Sequence, residues 1–181
     1  MEHYDIVVIG SGSGNTILDE EFADRRAAII DSGTFGGTCL NVGCIPTKMF
    51  VLPADLATSP SEAAKLGVRL QFRGASFTSI RDRIFGRIDP ISRSGLEYRQ
   101  GLENIDVYTD EAKFVDPHTI EVGDTRITAD QIVLAAGSRP RVPDVLGLDD
   151  PSLAGSIHTS DTIMRLEELP HRDRKSTRLN S

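Results

Sequence analysis

The two cysteines of the chain, Cys39 and Cys44, lie in one glycine-rich stretch that reads GGTCLNVGCIPTK over residues 36–48. In a regular helix, residues at this C-x4-C spacing have Cα atoms about 8.6 Å apart, whereas a disulfide requires about 4.4–6.8 Å. A bond between them therefore requires a distorted turn, which Gly43 tolerates. A strained bond that closes a short loop stabilises the fold little and is easily reduced. The pair is therefore better suited to exchanging electrons than to stapling the chain.

The residues after Cys44 favour a reactive thiol. Pro46 fits the first turn of a helix, where its missing N–H is no loss. Cys44 is therefore predicted at a helix N-terminus, where partial positive charge favours the thiolate. Lys48 follows one turn later on the same helix face and adds a cation.

The spacing of the cysteines alone also allows two other interpretations, unpaired core thiols and a zinc site. Unpaired thiols in the core are common in intracellular proteins. A structural zinc site requires four ligands, and no histidine lies near the cysteines in the sequence, so no metal site is predicted. The four histidines are His3, His118, His158 and His171.

A dinucleotide-binding βαβ unit is predicted at the start of the chain. Residues Tyr4–Ile9 form a short, continuous apolar run typical of a buried parallel strand. The glycine-rich segment 10–15 follows, then a predicted helix over Thr16–Arg25 and a second strand over Ala27–Ile30. This order is that of the nucleotide-binding fingerprint.

Each residue of the fingerprint has an expected role. Gly10 makes the tight turn, and Gly12 allows the backbone to approach a pyrophosphate. Asp31 ends the second strand about 20 residues further on, where a carboxylate accepts ribose hydroxyls. The third glycine of the motif is replaced by Asn15. We expect the helix to stand slightly off the strand, or Asn15 to make a polar contact.

Helical segments are predicted in the next part of the chain. The helical pattern continues from Met49 to about Leu66, but Pro53 and the segment 58–61 interrupt it. Ser59 or Ser61 is expected to cap a short second helix, and Gly67 to end it.

A longer helix is predicted over Phe77–Leu102, with a kink at Pro90. Its apolar stripe consists of Ile80, Ile84, Ile88, Ile91 and Leu96. Its other face is rich in arginine, and we expect that face to be solvated. These residues are Arg81, Arg83, Arg87 and Arg93.

The remaining regular segments read as strands. Short strands are predicted over residues 105–109, 112–115, 119–122 and 125–128, with turn residues between the last three. They indicate a small antiparallel meander. Residues 131–135 then return as a buried strand that ends in Ala136 and Gly137.

Composition sets limits on partners and location. The chain has 181 residues, 39% hydrophobic content and a net charge of −7, as expected for a soluble domain with one core. The negative charge argues against nucleic acid as the main partner. The start lacks a signal-peptide pattern, and no apolar run reaches the roughly 20 residues needed to span a bilayer. We therefore expect a cytoplasmic protein that contacts neither nucleic acid nor membrane.

The complete cysteine string resembles the redox signature of the flavoprotein pyridine nucleotide-disulfide oxidoreductases of class I. The resemblance implies FAD as the cofactor, because a flavin lies against the redox disulfide in that family. It implies that Cys44 faces the flavin, that Cys39 attacks the substrate disulfide, and that Lys48 lies beside the flavin. With the fingerprint, it assigns these cofactor-binding residues: Gly10, Gly12, Ser13, Gly14, Asp31, Ser32, Gly37, Thr38, Cys39, Gly43, Cys44, Lys48, Ala112, Ala136 and Gly137.

The resemblance also implies a fold and a domain organisation. Residues 1–170 are expected to form an α/β, Rossmann-like FAD-binding domain with a parallel sheet, a long helical insertion and a small antiparallel β-meander. The NAD(P)H domain and the interface domain of the family, with its His–Glu acid/base pair, have no counterpart in the sequence. Residues 171–181 are basic and lack periodicity, and are expected to be a non-native or disordered tail.

The implied activity is the reduction of a small disulfide by NAD(P)H, in a full-length enzyme that is a homodimer. The combination of the string GSGSGN, the charged stretch over residues 18–22 and the string GCIPTKMFV most resembles the branch of the family that reduces mycothione to mycothiol. Oxidation of dihydrolipoamide is the alternative within the family. A non-catalytic FAD-binding or thiol-switch module is the alternative from another class. The chain by itself is expected to be inactive.

Overall fold

A computed structural model of the chain describes residues 1–148, 150–153 and 155–170. The strands are β1 (Glu2–Ile9), β2 (Ala27–Ile30), β3 (Ile105–Tyr108), β4 (Ala112–Asp116), β5 (Thr119–Val122) and β6 (Thr125–Leu134). The α-helices are α1 (Gly37–Asn41), α2 (Cys44–Lys65) and α3 (Phe77–Gln100). Short 3-10 helices occupy part of the connections, and the predicted tail over 171–181 lies outside the described residues.

The six strands form one mixed sheet in the order β3-β2-β1-β6-β5-β4. The first four are parallel to one another, while β6, β5 and β4 pair antiparallel. β1 is central, with Ile6 opposite Ala27 of β2 and Gln131 of β6. The continuous apolar sequences of β1 and β2 agree with burial of both faces of the parallel part. The predicted fold class is therefore confirmed.

The strand boundaries differ from the prediction in two places. The segments predicted over 125–128 and 131–135 are one ten-residue strand, β6. Its first half pairs with both β5 and β1, so Ala129 is buried opposite Tyr4 instead of forming a break. β3 was predicted with the meander, but it extends the parallel part of the sheet beside β2.

The helix predicted over Thr16–Arg25 is wrong. The segment forms two short 3-10 helices, Ser13–Ile17 and Glu20–Phe22. Leu18 turns into the core between them. The carboxylate of Asp19 then accepts a hydrogen bond from the Glu21 amide, which starts a new turn instead of continuing the first.

The division predicted in the next helix is also wrong, because α2 runs unbroken for 22 residues with Pro53 and Pro60 inside it. Gly67 has a positive φ of 77° directly after the C-cap, as expected for a helix stop. α3 is confirmed to within two residues at its end.

The buried stripe of α3 differs in part from the predicted one. Ile84, Phe85, Ile88 and Ser92 are buried, whereas Ile91 is 53% exposed. The stripe therefore follows the i, i+4 spacing of Ile84, Ile88 and Ser92. It packs against side chains of α1 and α2, so the helical insertion has its own core.

Alternating residues of β1 and β2 supply the two faces of the sheet core. Val7 and Ala28 belong to one cluster, and Val8 and Ile29 to the other. No helix in the described part of the chain is long and apolar enough to cross a membrane.

Candidate redox and dinucleotide site

The cysteines lie on either side of a helix break. Cys39 is in the middle of α1 and Cys44 is the first residue of α2, with Val42 and Gly43 between the two helices. Gly43 allows a close approach there, since a Cβ on it would lie 2.8 Å from the carbonyl oxygen of Thr38. The chain thus makes the distorted turn that the spacing requires for the two side chains to meet.

Both cysteines are exposed free thiols in this structure. A side-chain hydrogen bond with Cys44 raises the pKa of the Cys39 thiol, and the nearby backbone N–H groups of Cys44 and Ile45 oppose that shift. The two thiols therefore flank the break between α1 and α2, and both are exposed. The arrangement is that of a dithiol able to exchange with a disulfide.

Packing of one residue and a hydrogen bond from the next fix the first turn of α2. Pro46 is buried, and the hydroxyl of Thr47 donates to the carbonyl oxygen of Gly43 at 2.6 Å. Lys48 is exposed and makes no ion pair within the described residues.

Glycines bring the fingerprint loop into contact with two other segments. Gly10 has φ of 117°, and a Cβ there would lie 2.2 Å from the carbonyl oxygen of Ala135, the residue directly after β6. A Cβ on Gly14 would lie 2.2 Å from the Cβ of Ala135. A Cβ on Gly37 would lie 2.5 Å from the Cα of Gly12. The loop is thus packed against both β6 and the start of α1, with backbone exposed to the space between them.

Ser11 connects the loop to the rest of the site and was not predicted. It is 1% exposed, its amide donates to Asp31 Oδ2 at 2.7 Å, and its hydroxyl donates to the same oxygen. The Ser11 hydroxyl also accepts from the amide of Gly36 at 2.9 Å. Among the described residues, Asp31 Oδ1 accepts only from the amide of Gly33, which leaves it room for one more donor. The position between two glycines of the motif carries no residue preference that would have revealed this role.

Asn15 makes the polar contact expected for it. Its side-chain amide donates to the carbonyl oxygens of Ser11 at 2.7 Å and Gly12 at 2.6 Å. Arg99 of α3 donates to the carbonyl oxygens of Leu18 and Asn15. The backbone carbonyl groups of the fingerprint segment are therefore bonded by side chains of Asn15 and Arg99. In a longer helix, backbone N–H groups would bond them instead.

A second amide side chain fixes the turn before α1. Asn41 is 6% exposed and its Nδ2 lies within hydrogen-bond distance of the carbonyl oxygens of Thr34, Phe35 and Gly37. Its Oδ1 is buried with no partner among the described residues. Ser92 of α3 donates to the carbonyl oxygen of Phe35 at 2.6 Å. These bonds set the position of the helix that carries Cys39.

The cysteines and the fingerprint share one cleft of about 710 Å³. Eleven of the predicted site residues line it: Gly10, Gly12, Ser13, Gly14, Asp31, Gly37, Thr38, Cys39, Cys44, Ala136 and Gly137. Ser32 and Ala112 line a second cavity of about 220 Å³, which adjoins the first at Gly10, Asp31, Ala136 and Arg139. Gly43 and Lys48 line neither.

The cleft fits a dinucleotide. It is elongated over two compartments, its glycine backbone admits close approach, and a carboxylate with a remaining acceptor position stands at the junction. Arg139 and Asp161 also line it, although neither was predicted.

A nucleotide fingerprint and a dithiol on one cleft define a class of redox protein, and the chain belongs to the pyridine nucleotide-disulphide oxidoreductase family, which it matches over residues 4–178. The family expected from the cysteine string is therefore confirmed. Among curated relatives, the mycothione reductase of Mycobacterium tuberculosis is 48% identical over 178 residues. That alignment covers 94% of this chain and 38% of the relative, so the chain spans well under half the length of that enzyme.

More distant relatives belong to the same class. The dihydrolipoyl dehydrogenase of Bacillus subtilis is 29% identical, over 92% of this chain and 37% of that enzyme. Among solved structures, the HOCl-induced flavoprotein disulfide reductase RclA from Escherichia coli is similar with a TM-score of 0.75 and 26% identity. That similarity covers 92% of this chain and 35% of RclA.

Proposed function

We propose that this chain is the FAD-binding and dithiol part of a cytoplasmic, NAD(P)H-dependent flavoprotein disulfide reductase that reduces mycothione to mycothiol. The observation that carries the proposal is the placement of Cys39 and Cys44 on the same cleft as the dinucleotide fingerprint. The identity of 48% to a mycothione reductase, against 29% to a dihydrolipoyl dehydrogenase, favours mycothione over dihydrolipoamide.

The residues proposed to hold FAD divide into two groups. Gly10, Gly12, Ser13 and Gly14, with Asp31, form the end expected for the diphosphate and ribose. Further residues proposed for the cofactor are Ser32, Gly37, Thr38, Gly43, Lys48, Ala112, Ala136 and Gly137, together with the two cysteines. When bound, FAD supplies the transfer of an electron pair between NAD(P)H and the cysteines.

The chemistry of the chain's own residues is thiol–disulfide exchange. The Cys39 thiolate attacks one sulfur of the substrate disulfide, whose S–S bond breaks and releases one thiol after protonation. Cys44 then attacks the sulfur of Cys39 in the mixed disulfide and releases the second thiol. The substrate gains two electrons and two protons, and Cys39 and Cys44 become a disulfide. The electron pair from NAD(P)H restores the dithiol.

The raised pKa of Cys39 gives this mechanism a requirement. The side-chain hydrogen bond with Cys44 raises the pKa of the Cys39 thiol and so disfavours the reactive thiolate. A base must remove the proton of that thiol, and no histidine lines the cleft among the described residues. We therefore place the base, the NAD(P)H site and the homodimer interface in the parts of the full-length enzyme that lie beyond the matched region. The 181-residue chain is expected to bind FAD without turning over.

Absorbance spectroscopy tests the proposal. The chain loaded with FAD and reduced by two electrons at its disulfide should gain a long-wavelength charge-transfer band between oxidised flavin and the Cys44 thiolate. Cys44→Ala should abolish the band, whereas Cys39→Ala, which cannot form the disulfide, should show it before any reductant is added. A yellow protein without the band would indicate a plain flavin carrier. A colourless protein with a reducible disulfide would indicate a thiol switch.

The substrate requires a separate measurement. We expect the full-length enzyme to oxidise NAD(P)H with mycothione and to leave dihydrolipoamide unchanged in the reverse assay with NAD⁺. The opposite preference would contradict the assignment of the substrate while leaving the class of enzyme intact.

A further inference from the structure

The cleft is lined by more negative than positive side chains, although its proposed ligand is an anion. The larger compartment has two carboxylates, Asp31 and Asp161, and the adjoining cavity adds Asp110 and Glu111. Arg139 is the single cation among the described lining residues of both compartments. Because a dinucleotide brings a diphosphate into this space, its binding requires a source of positive charge.

The fingerprint provides less of that charge than is usual. In the βαβ motif, a helix N-terminus faces the diphosphate and contributes its dipole. Here the segment after the glycines is a five-residue 3-10 helix, so few aligned peptide groups stand behind the loop. The side-chain amide of Asn15 faces inward to the carbonyl oxygens of Ser11 and Gly12, so it is not directed at a ligand.

Arg139 is placed to supply the positive charge that the short fingerprint helix lacks. It follows Gly137, where the chain leaves the end of β6 beside the loop, and it is exposed. Its guanidinium makes no hydrogen bond or ion pair within the described residues. It lines both compartments and therefore stands at their junction. Arg141, two residues further on, is also exposed but lines neither compartment.

We infer that Arg139 is a cofactor-binding residue whose guanidinium pairs with the diphosphate of FAD, replacing the charge that the shortened fingerprint helix does not supply. A guanidinium forms two parallel hydrogen bonds to phosphate oxygens, which an ammonium group cannot do. This inference rests on the proposed function, since it requires that the chain binds FAD.

Titration of FAD into the full chain tests the inference, with flavin fluorescence as the readout. Arg139→Ala should raise the Kd for FAD about 10- to 100-fold, the effect of losing a charge-assisted hydrogen bond. Arg139→Lys keeps the positive charge but loses the paired hydrogen bonds of the guanidinium, so it should raise the Kd less than Arg139→Ala does. The matched control Arg141→Ala should leave Kd within about twofold, because an exposed charge outside the cleft contributes little.

A salt series distinguishes pairing from a structural effect. Binding of FAD to the unsubstituted chain should weaken as ionic strength rises, and Arg139→Ala should flatten that dependence because the screened pair is gone. Equal effects of Arg139→Ala and Arg141→Ala would overturn the inference. So would weaker binding by Arg139→Ala with an unchanged salt dependence. An unsubstituted chain that binds no FAD would overturn the proposed function as well.

Discussion

Ser11 and Asp31, twenty positions apart in the sequence, are joined by two hydrogen bonds from the amide and the hydroxyl of the serine to one carboxylate oxygen. The same hydroxyl accepts the amide of Gly36, the residue directly before α1. A buried side chain of two heavy atoms thus ties together the nucleotide loop, the end of β2 and the helix that carries Cys39. The proposed binding site and the proposed reactive site are therefore joined by direct hydrogen bonds.

The first prediction concerns that connection. Ser11→Ala removes the acceptor of the Gly36 amide and one donor to Asp31, and should lower the free energy of unfolding by about 1–3 kcal/mol. Urea unfolding of the variant provides the measurement. Ser13→Ala is the matched control, since Ser13 is exposed in the same loop, and should change stability by less than about 0.5 kcal/mol. Equal stability of the two variants would contradict the role given to Ser11.

The second prediction concerns the contact between the loop and β6. Gly14→Ala would place a Cβ 2.2 Å from the Cβ of Ala135, and this overpacking should lower stability by about 1–3 kcal/mol. Replacing Ala135 by glycine in the same chain should recover part of the loss, because it removes the clashing methyl group.

Gly86→Ala is the control for that experiment. Gly86 lies inside α3, and a Cβ there would meet nothing within 4 Å. Alanine should therefore stabilise the protein by about 0.5–1 kcal/mol through its greater helix preference. A loss of stability in this variant, or none with Gly14→Ala, would show that the contacts differ from those described.

The parts of the site that could be predicted from sequence are those in which chemistry fixes the residue type. Glycine was required at Gly10, a carboxylate at Asp31 and thiols at Cys39 and Cys44, and all four line one cleft. Motif spacing carries this information locally, so the site emerged without knowledge of the tertiary fold.

What could not be predicted depends on contacts between distant segments. The helix expected after the fingerprint fails because Leu18 is drawn into the core and Arg99, from the end of α3, binds its backbone carbonyl group. The two strands expected near the end of the meander merge because β1 pairs with β6 from Ile127 to Leu134. Ser11 was missed for the same reason, since its partners become neighbours only in the folded chain. Tertiary contacts overrode local preference in each case.

The third prediction concerns the residue that departs from the fingerprint. Asn15→Gly restores the usual glycine but removes two hydrogen bonds to the loop carbonyls and adds backbone freedom. We expect the free energy of unfolding to fall by about 1–3 kcal/mol. Asn15→Ala loses the same hydrogen bonds but adds less backbone freedom, so its free energy of unfolding should fall less. A glycine variant as stable as the original chain would show that the amide does not hold the loop.

The fourth prediction uses the interaction between the two thiols. The hydrogen bond with Cys44 raises the pKa of the Cys39 thiol, whereas the amides at the start of α2 lower it. Cys44→Ala removes the largest raising cause and keeps the lowering one, so the pKa of Cys39 should fall. Since the thiolate is the reactive form, the rate of alkylation by iodoacetamide should then begin to rise at lower pH than in the unsubstituted chain. The pH profile of Cys39 labelling, resolved by mass spectrometry, gives the measurement. A midpoint that stays in place or moves to higher pH would mean that Cys44 does not control the protonation of Cys39.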